Sequence, residues 1–150
     1  MDPVARTLAA LEAAQDAVLD GDYAALPGDL FASARASRSP NGSTVVSVDY
    51  APDVLAALPA SHRHLDLFIL EPRSRLGTHF HKRATAHIHV LRGEGQAELD
   101  GVTTHIAPGA RLTFPAGARH DVRSGEAIVL FVSFQDNPII QPDGSLDYFT

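Results

Sequence analysis

His79-Phe80-His81 and His120 stand at spacings that suit a metal site. Side chains alternate between faces along an extended strand, so an H-x-H pair presents both imidazoles to one side. A third imidazole from another strand then completes a facial set around one ion. The chain has eight histidines and no cysteine, which excludes disulfides and thiol catalysis. A transition metal would have to be held by imidazole, carboxylate and water, a donor set that suits Fe, Mn, Ni, Cu or Zn. Three neutral imidazoles leave about three positions open on an octahedral ion, room for a substrate together with water or O₂. His79, His81 and His120 are therefore the candidate metal ligands.

Such ligands need strands to position them, and the chain from His64 onward reads as β structure. Strand-like runs are expected at His64–Glu71, Gly77–His81, Ala86–Arg92, Gln96–Leu99, Thr103–Ile106, Arg111–Phe114, His120–Arg123 and Ala127–Gln135. Between them lie turn signals such as Gly93-Glu94-Gly95, Asp100-Gly101, Pro108-Gly109 and Pro115-Ala116-Gly117. Short strands at this regular spacing point to a small barrel or sandwich. Upstream, Asp2 as N-cap and Pro3 at the first helical position open a helix. Its stripe of Val4, Leu8, Leu11 and Val18 is expected to run on to a stop at Gly21. A hairpin of Leu30–Ala36 and Ser43–Tyr50 around Ser39-Pro40-Asn41-Gly42 follows, then a short helix at Pro52–Leu58. The tail from Asp136 to Thr150 is expected to run over the surface or onto a partner subunit.

The chain's 150 residues suit one domain with a sizeable core. Residues 1–60 read as an extension packing on a barrel formed by residues 61–150. A formal net charge of −6 argues against a general nucleic-acid binder. No stretch has the length of a membrane span. Asp2, Glu12 and Asp16 interrupt the N-terminal apolar run, which lacks a basic leader, so the expected location is cytoplasmic. Charge is uneven: eight of the 12 Lys and Arg, but four of the 18 Asp and Glu, fall between Arg73 and Arg123. Such a balance can draw an anionic substrate. Arg75 and Arg83 flank the H-x-H pair and are the candidate substrate-binding cations.

The segment from about Leu65 to Phe134 resembles the cupin family, whose two motifs it follows closely. The first is H-x-H, three or four residues, Glu, six residues, Gly; here His79-Phe80-His81 leads to Ala86 and then Gly93. The second is Gly, five residues, P-x-G, two residues, His, three residues, Asn; here it is Gly109, Pro115-Ala116-Gly117, His120 and Ser124. Three positions depart. Arg73 stands where a Gly is common, Ser124 replaces the final Asn, and Ala86 occupies the place of the usual metal-binding Glu. A methyl group cannot ligate. His87 and His89 flank that gap, but if Ala86 faces inward with Ile88 and Val90, parity turns both histidines outward.

The resemblance implies a cupin jelly-roll β-barrel with an N-terminal helical extension, a bound divalent transition metal (Fe, Zn, Mn or Ni) and a homodimer. It also implies a small-molecule substrate or ligand. Some three-histidine cupins are Fe(II) dioxygenases acting on thiols or β-diketones, which makes that activity the first expectation. A Zn-, Mn- or Ni-dependent isomerase, lyase or hydrolase is the alternative, and a non-catalytic ligand-binding cupin the third. The other histidines read differently. His62-Arg63-His64 looks like a surface loop entering a strand, and His105 like an exposed strand residue. His87 and His89 are expected on the outer sheet face, against the N-terminal segment or a second subunit.

Overall fold

The computed structural model describes residues 2–39 and 41–150. Two antiparallel sheets carry the fold. The larger has the order β1 (Phe31–Arg38), β2 (Thr44–Tyr50), β3 (His64–Leu70), β9 (Val129–Gln135), β4 (Ala86–Arg92), β7 (Arg111–Phe114). The smaller is β6 (Val102–Ile106), β5 (Gly95–Leu99), β8 (His120–Ser124). The fold is the expected cupin-type jelly-roll barrel with a helical N-terminus. The expected hairpin is present and extends the larger sheet, with Val46 opposite Leu67 across β2 and β3. Of its turn, Pro40 lies outside the described residues. No helix of the described residues is long and apolar enough to cross a membrane.

Period-two patterning sorts the core into two layers. Leu70, Ile88, Val90, Val122, Val129 and Phe131 fill the space between the sheets. On the other face of the larger sheet, Val46, Val48, Leu65, Leu67, Val132 and Phe134 meet Leu11 and Val18 from the N-terminal helices. Strand β9 lies between both layers, so all seven of its residues are buried, and its Val129–Val132 stretch reads as a continuous apolar run rather than an alternation.

The N-terminal helix is broken where one continuous element was expected. Helix α1 (Pro3–Ala13) starts on the Asp2 side chain, which accepts the Ala5 N–H at 2.9 Å. It ends at Ala14, and α2 (Gln15–Leu19) follows. At the break Gln15 donates to the Glu12 carbonyl, while Arg92 of β4 binds Gln15 and Asp16. The side chains after the break are thereby tied to the barrel. Helix α3 (Pro52–Ala57) matches the expected short helix.

Two glycines fix how closely neighbouring backbone segments pass. A Cβ at Gly93 would lie 2.1 Å from the Ile128 carbonyl oxygen, and one at Gly95 2.0 Å from that of Arg123. Backbones pass at distances no other residue tolerates. Arg73 has φ +53°, a left-handed conformation that favours glycine, which accounts for the glycine common at this place in the resembling family.

Candidate metal centre

The His79-Phe80-His81 segment departs from the expectation of a full strand. It is extended, but its pairing alternates. His79 exchanges both backbone hydrogen bonds with His120, at 3.0 and 2.8 Å, and Phe80 exchanges both with Phe149 of the tail, at 2.8 and 2.9 Å. The segment lies between β8 and the tail with one bridge on each side, too few for a regular ladder. The extended backbone still turns His79 and His81 to one side, and both are buried.

His79, His81 and His120 converge. Their ligand atoms lie within 4.8 Å of one another, and among the described residues this is the one such group. In each ring Nδ1 meets a backbone carbonyl: Gly77 for His79 at 2.6 Å, Ala118 for His120 at 3.1 Å, and Asp147 for His81. A carbonyl only accepts, so Nδ1 carries the proton and Nε2 keeps its lone pair. These carbonyls fix tautomer and ring orientation as metal-binding histidines require. Phe114 stacks on His120 at 4.3 Å, and Tyr148 on His79 at 4.5 Å.

Electrostatics favour neutral rings. Burial, opposed by the bond to Gly77, holds the His79 imidazole below its usual range. Burial and the nearby His79 take His120 down to about 3. Neutral imidazole is the ligating form, so the donor chemistry fits a divalent transition metal, and the three buried histidines could hold one. The ion's charge would remain uncompensated by these ligands, because Ala86 offers only a methyl group. Ala86, Ile88 and Val90 are all buried while His87 and His89 are half-exposed on the opposite face. The parity argument holds, and neither histidine fills the gap.

Three residues that the sequence reading missed complete the centre. Asp121, fully buried, accepts the Gly77 N–H at 2.8 Å and thereby anchors the carbonyl that orients His79. Asp147 accepts the N–H groups of Lys82, Arg83 and Ala84 at 2.7, 2.9 and 3.0 Å. Burial works against its ionisation, but these donors together hold the carboxyl below the usual range. Tyr148 shields His79. Asp147 and Tyr148 belong to the tail, which therefore folds over the centre. Asp121 directly follows a motif histidine and could have been suspected; nothing in the sequence marks Asp147 or Tyr148. Of the two candidate substrate cations, Arg75 pairs with Asp121 at 2.5 Å. Arg83 is exposed, makes no ion pair among the described residues, and lines a cavity of about 560 Å³ with Lys82, Asp143 and Phe149.

The cupin domain model matches residues 66–134, the segment that carries all three of these histidines. Residues 66–134 are a cupin domain. Solved cupin-like structures agree. A predicted oxalate decarboxylase from Thermotoga maritima superposes with a TM-score of 0.54 at 20% identity, over 69% of this chain and 90% of that one. KdgF from Halomonas sp. gives 0.56 at 17%, over 69% and 87%. CapF, a capsular polysaccharide assembling protein from Staphylococcus aureus, gives 0.61 at 11%, over 78% of this cupin and 34% of that chain. Identities this low carry the fold alone. No curated protein matches this cupin's sequence. Ser124, where the family motif has Asn, accepts the Ser74 N–H at 2.9 Å and also bonds Glu71, so it closes the loop that leads to the H-x-H segment.

Proposed function

We propose that this cupin is a metal-dependent enzyme acting on a small anionic organic molecule, with O₂-dependent oxidation at Fe(II) as the specific reaction. The observation that carries the reading is the buried, all-histidine donor set. With no carboxylate among the ligands, the full charge of a divalent ion is available to an anionic substrate. When bound, the metal supplies a Lewis-acidic centre with open positions for substrate and O₂.

The chain's own residues supply position and shielding. The carbonyls of Gly77, Ala118 and Asp147 hold the three rings in register. Phe114 and Tyr148 keep the surroundings apolar. Arg83, which makes no ion pair among the described residues, is the side chain for a substrate carboxylate; Arg75 would have to share its guanidinium with Asp121.

The test is elemental analysis of protein made without a polyhistidine tag, with O₂ uptake on a panel of small carboxylates and thiols. Expected is near-stoichiometric iron and substrate-dependent O₂ consumption that His120→Ala abolishes. Zinc, manganese or nickel without uptake would move the reading to an isomerase, lyase or hydrolase. Full metal occupancy in His120→Ala would remove the site itself.

A further inference from the structure

A second histidine group lies on the opposite face of β4. His87 and His89 point away from the barrel interior and meet His62, from the single turn that precedes β3. The His62 ring lies parallel to His87 at 5.1 Å and against Phe134 at 4.8 Å; His89 stands edge-on to Phe134 at 5.6 Å. With Arg111 and Thr113 of β7 and the first residues of α1, these rings line a cavity of about 410 Å³. His87 Nδ1 lies 3.2 Å from the Thr113 hydroxyl.

This group does not converge on a point as His79, His81 and His120 do, so it is not built as a metal site. What it collects is the Arg111 guanidinium and imidazole N–H donors. Arg111 makes no ion pair among the described residues. Burial, then Arg111, His62 and His87, hold His89 below its usual range, and burial, then His87, do so for His62. Besides Arg111, the groups acting on these two rings are the neighbouring imidazoles. The Asp2 carboxylate, which caps the facing helix by accepting the Ala5 N–H, also lines the cavity and keeps its charge there, and Glu12 sits at the adjoining hollow with His89 and Arg111. On β4 itself, Arg92 is engaged with Gln15 and Asp16. A concave surface rich in donors and holding an unpaired guanidinium is complementary to an anion.

We infer that this cavity is a second ligand site, which takes a compact oxyanion, the phosphate or carboxylate group of a small molecule, between Arg111 and the imidazoles of His62, His87 and His89, more tightly as pH falls. An anion entering here relieves the mutual repulsion of the rings and draws protons onto them. The site stands apart from the metal centre, since parity places it on the other face of the sheet.

Sulfate is the probe, because its charge is constant across the range, and acetate tests the carboxylate source. Each is titrated into the full chain at about pH 6 and about pH 7.5, on either side of the ordinary imidazole range, with histidine ring resonances as the readout. Expected are saturable shifts of His62, His87 and His89 that leave His79, His81 and His120 unmoved, with at least about tenfold tighter binding at the lower pH. Tighter sulfate than acetate binding assigns a phosphate-like group, and the reverse a carboxylate. Arg111→Gln should weaken binding about tenfold or more while Arg111→Lys recovers part of it. The His120→Asn protein should bind sulfate like the wild type, which separates this site from the metal centre. Shifts that do not saturate, or that are equal in Arg111→Gln of unchanged melting temperature, would mean an adventitious ion only and overturn the inference.

Discussion

The buried His120 imidazole should make the metal-free protein acid-labile by a calculable amount. Burial and His79 take its folded pKa down to about 3, while the unfolded chain titrates near 6.5. The unfolded state therefore takes up the proton first. Stability is unaffected above about pH 6.5, falls as pH drops through that value, and goes on falling to about pH 3. At about 1.4 kcal/mol per pH unit, His120 alone costs roughly 2 kcal/mol between neutrality and pH 5, and roughly 3 by pH 4. His79 shifts in the same direction and adds to the loss. Urea unfolding of chelator-treated protein measures this. His120→Asn keeps an N–H for the Ala118 carbonyl but cannot take the proton. Its loss of stability between about pH 7.5 and pH 5 should be smaller than the wild type's by roughly 2 kcal/mol, with other titrating groups cancelling in the difference. Equal losses in the two proteins would refute the buried, neutral imidazole.

Three other outcomes follow from the geometry. Ala86→Glu places a carboxylate on the inward face of β4 and should tighten divalent-metal binding, read by chelator competition; unchanged affinity would mean that position 86 does not face the ion. Asp147→Ala removes the acceptor of three N–H groups and should weaken metal binding about 10- to 100-fold, as loss of a ligand-orienting partner does, with wild-type affinity in the variant counting against its role. Leu11→Ala should cost about 2–5 kcal/mol of stability yet leave metal stoichiometry unchanged; a loss of metal in a still-folded variant would tie the helical layer to the site.

Much of this was legible in the sequence for physical reasons. The strands Ala86–Arg92 and Arg111–Phe114 were expected with the bounds they have, because alternation of apolar and polar residues is a local signal. The convergence of His79, His81 and His120 was legible because H-x-H and the P-x-G turn each fix geometry within a few residues. What escaped was long-range. Phe80 pairs with Phe149, and Asp147 reaches the N–H groups after His81, contacts between segments more than sixty residues apart. A tail with two prolines and no periodicity looks like surface chain, and only the fold reveals the unpaired edge that receives it. The break at Ala14 was hidden for a similar reason, since α1 and α2 carry one continuous apolar stripe and Arg92, which binds the residues after the break, lies far along the chain.

The bond from His81 Nδ1 to the Asp147 carbonyl couples two equilibria. A ring held for the ion is also a ring held for the tail, so docking of the tail and binding of the ion must favour each other by the same factor. The tail becomes a reporter. Its amide-exchange protection and resistance to proteolysis should rise with metal occupancy, and a chain whose tail is pulled aside should release its ion faster. The affinity of this centre is thus a property of the tail as much as of the barrel, open to adjustment at residues that never touch the metal.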